Sequence, residues 1–68
     1  MRLLDIPNGP TINLDEVRMV GKVGGDKNWL SYNVYFRGVE SYLVIYQERK
    51  DNSQMPRETF MKHLRGEI

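Results

Sequence analysis

Apolar and polar positions alternate along most of this chain, and the spacing turns helical only near the C-terminus. Leu3–Ile6 reads as a short strand, Pro7-Asn8-Gly9-Pro10 as a turn, and Thr11–Leu14 as the returning strand. With Asn8, Gly9 and Pro10 as a three-residue loop, Ile6 is set opposite Ile12 and Leu4 opposite Leu14. That register gathers four apolar side chains on one face, as burial requires. After a polar break at Asp15-Glu16, Val17–Val23 reads as a third strand. Its alternation puts Val17, Met19 and Val23 on one face and Arg18, Val20 and Lys22 on the other, and Gly21 suggests a bulge. Gly24–Asn28 reads as a flexible connection, with Trp29 and Leu30 anchoring it back onto the fold.

The pattern is sharpest between Ser31 and Glu48. Two runs rich in tyrosine and branched residues flank Arg37-Gly38-Val39-Glu40. Gly38 suits the first central position of a type II′ turn. The register then pairs Arg37 with Glu40, Tyr35 with Tyr42, Val34 with Leu43, Asn33 with Val44, Tyr32 with Ile45 and Ser31 with Tyr46. One face holds Tyr32, Val34, Phe36, Leu43 and Ile45. The other holds Tyr35, Tyr42, Val44 and Tyr46, together with Asn33, Arg37 and Glu40. Opposite charges at Arg37 and Glu40 favour this pairing by a few tenths of a kcal/mol, roughly.

A polar linker, Arg49–Gln54, leads to the helix. Phe60 and Leu64 are spaced i, i+4 with Met61 beside them. Glu58 near the start and Lys62, His63 and Arg65 near the end suit the helix dipole. Ser53 is the expected N-cap, although a proline after Met55 favours a start at Pro56, and Gly66 suits the position just past the C-terminal cap. The expectation is an α+β fold: a small antiparallel β-sheet of about five strands in hairpins, with one C-terminal α-helix packed on the Tyr32–Val34–Phe36 face. The 68 residues make a single domain, 1–68.

Composition narrows the picture. A domain this short has a small core and often needs a disulfide, a metal or self-association. The chain has no cysteine, so disulfides are excluded, and oligomerisation becomes a real expectation. No apolar run approaches the ~20 residues of a membrane span, and Asp5 interrupts any secretory leader. These features predict a cytoplasmic chain without a membrane partner. Ten basic residues against nine acidic ones leave a net charge of +1, which is not the footprint of a strong nucleic-acid binder.

Catalytic chemistry finds little to work with. Covalent catalysis needs a nucleophile beside a base, yet cysteine is absent and His63 is the only histidine. Gly66 breaks the helical i, i+4 relation of His63 and Glu67 that a metal site would use. Gly21–Lys27 is glycine-rich but lacks the spacing and the Ser/Thr of a phosphate-binding loop. Asp15 and Glu16 are adjacent, so on a strand they point apart. The sequence therefore predicts no catalytic residue, no metal and no cofactor.

The feature that stands out is the second face of the long hairpin. Tyr35, Arg37, Tyr42, Val44 and Tyr46 form the candidate binding site, because one helix covers only one side of a sheet and tyrosine is enriched in interfaces. The expected role is a non-catalytic protein–protein interaction module acting through that face or through an exposed strand edge. Its partner would be another protein or a second copy in a homodimer. The small size would suit a bacterial or phage accessory or inhibitor protein. The alternative is a single-stranded nucleic-acid binder that stacks bases on the tyrosines, with Arg18, Lys22, Arg37 and Arg49 framing the platform.

Overall fold

The structure, a computed structural model, describes residues 1–68. Six strands and one helix follow in the order β1 (Leu3–Asp5), β2 (Thr11–Asn13), β3 (Val17–Val20), β4 (Gly24–Asp26), β5 (Trp29–Phe36), β6 (Tyr42–Arg49) and α1 (Arg57–Leu64). All the pairings are antiparallel, so the chain has the small α+β fold its alternation predicts.

β1 and β2 form a separate two-stranded sheet with Leu4 opposite Ile12. The predicted register is two residues off. The loop is Pro7–Gly9, because Asn8 takes a left-handed φ of 55° and the Ile6 N–H donates to the Pro10 carbonyl at 3.0 Å. A two-residue slip preserves the face, so Ile6, Ile12 and Leu14 are still buried together. Leu14 leaves the expected strand and joins the Asp15-Glu16 break in a single 3-10 turn, started by Asn13, whose side chain accepts the Asp15 N–H.

The main sheet centres on β5. β6 runs along one edge, and β3 and β4 follow each other along the opposite edge. The β5–β6 register is the predicted one from Tyr35 opposite Tyr42 to Ser31 opposite Tyr46. The connection differs. Arg37–Ser41 lies outside the strands, Gly38 has φ 71°, and the turn closes by Val39 N–H to the Phe36 carbonyl at 3.4 Å. Gly38 is thus the third residue of a reverse turn starting at Phe36, not the first central residue of a type II′ turn. Arg37 and Glu40 lie in that loop and make no ion pair.

Bulges redirect side chains on both outer strands. Val17 lies opposite Phe36 and Met19 opposite Tyr35, so Arg18 is the extra residue between them. Val17 and Val20 therefore pack on the core, whereas Met19 points to the other face and is 47% exposed. This reverses the expected side for both Met19 and Val20. Gly24–Asp26, expected to be a flexible connection, pairs with Ser31–Trp29 as β4. Gly25 makes this possible: its φ is 139°, and a Cβ there would lie 2.2 Å from the Trp29 carbonyl oxygen.

The core is small: Ile6, Ile12, Leu14, Tyr32, Val34, Ile45, Met55 and Phe60. Phe60 of α1 meets Tyr32 of β5 with ring centroids 6.0 Å apart, so the helix covers the predicted face. Its N-terminus is held from the sheet. The Arg57 N–H donates to Gln47 Oε1 at 2.9 Å, and the Arg57 side chain donates to the Gly21 carbonyl at 2.7 Å. Ser53 is not the N-cap; its hydroxyl pairs with the backbone of Arg49. At the other end Gly66 takes φ 76°, Glu67 N–H donates to the Lys62 carbonyl and Gly66 N–H to the His63 carbonyl. This is the glycine-terminated helix end the sequence predicts.

Candidate functional site

The site lies on the sheet face turned away from the helix. Directly opposed residues in an antiparallel pair project to the same side, so the register assigns that face residue by residue. β5 contributes Trp29, Ser31, Asn33 and Tyr35, and β6 contributes Tyr42, Val44 and Tyr46. Beyond Tyr46 the parity changes. Ser31 faces Tyr46 while Leu30 faces Glu48, so Gln47 is an extra residue that turns into the helix side. Arg49 consequently lies opposite Trp29 on the tyrosine face. On the other flank Met19 lies opposite Tyr35, and the bulged Arg18 reaches over it.

Two clusters result. At one end the Tyr35 and Tyr42 rings pack at 5.5 Å between centroids, tilted by 47°, with the Arg18 guanidinium 5.9 Å from the Tyr35 centroid. Asn33 Nδ2 donates to the Tyr35 hydroxyl at 3.3 Å. At the other end the Arg49 guanidinium lies 4.6 Å from the Tyr46 centroid. Contacts of this kind hold an arginine over a ring while leaving its N–H groups free for a partner. The ion pairs of the chain join Met1 and Arg2 to Asp15, and Arg65 to Glu67, so neither Arg18 nor Arg49 is neutralised by a carboxylate. The β4–β5 turn and the end of β6 flank an open cleft of mixed charge, with Asp26 and Glu48 as well as Lys27, Arg49 and Lys50 around Trp29.

Of the predicted site residues, Tyr35, Tyr42, Val44 and Tyr46 share this face. Tyr42 is 53% exposed, and Tyr35, Val44 and Tyr46 are half-buried among their neighbours. Arg37 is not brought into the cluster. It sits in the β5–β6 loop, where its N–H donates to the Glu16 carbonyl and its side chain stacks on no tyrosine. Arg18 and Arg49 take that role. Trp29, expected as an anchor on the core, instead extends the aromatic face and is 42% exposed. Its signal was in the sequence, since Trp29 has the same parity as Tyr35 once β5 begins two residues earlier. Arg18 and Arg49 are two of the four basic residues expected to frame the alternative platform, and they are the two that stack on its rings.

Tyr32, on the opposite face, donates its hydroxyl to the Met55 carbonyl at 2.9 Å, and burial pushes its pKa well above the ordinary tyrosine range. No protein-family model matches the chain, and no curated protein or solved structure matches it either.

Proposed function

We propose that this chain is a non-catalytic protein-interaction module of the cytoplasm, and that it binds its partner through the Trp29–Tyr35–Tyr42–Tyr46 face. One observation carries the reading: the helix and the core residues of the β1–β2 hairpin gather on one side of the main sheet, and Trp29, Tyr35, Tyr42 and Tyr46 are left on the other. A face of this kind suits an interface, where tyrosine supplies large amphipathic contact area and both tyrosine and arginine are enriched. The balanced charge favours a protein partner over a polyphosphate one. A bacterial or phage accessory or inhibitor role fits the size.

The arginines stacked on Tyr35 and Tyr46 favour a second reading, a single-stranded nucleic-acid platform. Salt separates the two. Phosphate-driven binding falls steeply as salt rises, whereas an interface driven by aromatic burial holds. A fluorescent oligothymidine titration at low and high salt decides this directly. Little or no binding at low salt supports the protein reading, and micromolar binding that collapses with salt overturns it.

A further inference from the structure

The main sheet has two outer edges, and the chain closes them differently. The β3–β4 edge is broken by the Arg18 bulge and by a further irregularity. From Val20 to Gly24 the edge advances four residues while β5 advances three, from Val34 to Ser31. Arg57 then donates to the Val20 and Gly21 carbonyls and occupies that edge. Short, bulged and capped edges resist pairing with other chains.

The β6 edge is closed only in its second half. The Tyr46 N–H donates to Gln54 Oε1 at 2.9 Å, and its carbonyl accepts from Gln54 N–H and Met55 N–H. At Arg49 the N–H donates to Ser53 Oγ and the carbonyl accepts from Asn52 N–H. The backbone groups of Tyr46 therefore face away from β5. Alternation along a strand makes Tyr42 and Val44 face the same way. On the neighbouring strand, Asn33, which lies opposite Val44, turns its carbonyl to Gly21 and not to β6. No side chain or turn satisfies the outward N–H and C=O groups of Tyr42 and Val44. Ser41–Ile45 carries no charge, no proline, no glycine and no bulge, so this half of the edge lacks the usual defences.

We infer that the Tyr42–Val44 edge pairs antiparallel with the same edge of a second copy, about a two-fold axis at Leu43. The register is self-complementary: Tyr42 meets Val44 of the second copy, and Val44 meets its Tyr42, exchanging about four backbone hydrogen bonds. A second copy fits better than a longer foreign strand, because the open stretch ends where Gln54 caps Tyr46. With no charge in the segment, pairing with itself opposes no like charges. An axis normal to the sheet keeps both helices on one side and joins both tyrosine faces into one continuous surface. The inference rests on the β6 backbone and stands whether or not that face takes a foreign partner.

Sedimentation equilibrium from micromolar to millimolar, at low and high salt, tests it. The expected result is a reversible, salt-tolerant dimer. Val44→Pro removes the outward donor and no bond within the chain, and should weaken the dimer at least tenfold, with folding followed by circular dichroism. Leu43→Cys covers the case in which the proline variant does not fold. The axis sets this residue against its own copy at about 4.5 Å between Cα atoms, within disulfide reach. Oxidation should link Leu43→Cys far faster than Val39→Cys in the loop. A monomer at millimolar concentration overturns the inference, and so does equal cross-linking of the two cysteine variants. Tyr35→Ala, on the inner strand, leaves this dimer intact while removing partner binding at the face, so failure of one reading is distinguishable from failure of the other.

Discussion

Tyr32 shows how much rests on single side chains in a core of this size. It is buried, packs on Phe60, and donates its only hydroxyl proton to the Met55 carbonyl. Tyr32→Phe leaves that carbonyl without its partner, so a loss of about 1–3 kcal/mol is expected in urea unfolding. The pH dependence has a definite sign. The folded hydroxyl is held neutral above its ordinary range because burial disfavours the phenolate, whereas in the unfolded chain it ionises near pH 10, roughly. Its contribution is fully present below that value and is lost as pH rises beyond it. Wild-type stability should fall above about pH 10, and Tyr32→Phe should flatten that decline. Gly25 is a second such residue. Gly25→Ala would drive a Cβ to 2.2 Å from the Trp29 carbonyl oxygen at a φ of 139°. A loss of about 2 kcal/mol or more is expected as the β4–β5 hairpin rearranges, read as a drop in thermal midpoint and a shift in Trp29 fluorescence.

At the scale of elements, the β5–β6 hairpin was legible because strict alternation over two long runs permits few registers that bury one face. The split between Tyr32–Val34–Phe36 and Tyr35–Tyr42–Tyr46 followed from that alone. The β1–β2 loop lies one residue earlier than expected because Asn8, Gly9 and both prolines suit several turns, and the register therefore slips by two, an even step that preserves the core. What the sequence hid were odd insertions. The extra residues at Arg18 and Gln47 reverse parity: the first turns Met19 onto the tyrosine face and the second turns Arg49 onto it. Capping by distant side chains was equally hidden. Gln47 and Arg57 tie the start of α1 to both outer strands, which no local helix signal reports. Arg57→Ala should cost about 1.5–3 kcal/mol, the value of hydrogen bonds from a charged donor. Arg57→Lys should recover only part of it, because one ammonium cannot reproduce the planar fork that reaches both Val20 and Gly21 carbonyls. Chemical denaturation of the pair of variants checks both statements.

For the molecule as a whole, sidedness matters most. One side of the main sheet carries the helix and core, and the other carries four aromatic rings and two arginines without carboxylate partners. No helix is long and apolar enough to cross a membrane. The N- and C-terminal segments close on each other: the Arg2 side chain donates to the Leu64 carbonyl and to Asp15, and that contact holds the Asp15 carboxyl below its ordinary pKa. The known charge pairs therefore stabilise the terminal end of the molecule and leave the tyrosine face unneutralised. The most direct test of that face is photo-cross-linking in cells, with a benzophenone side chain replacing Tyr42 in one variant and exposed Lys62 of α1 in another. A discrete adduct to a protein other than this chain is expected from position 42, lost on Tyr35→Ala and absent from position 62, while an adduct between two copies at position 42 survives Tyr35→Ala. Equal adducts from both positions, or adducts from the helix alone, would contradict the assignment of that face.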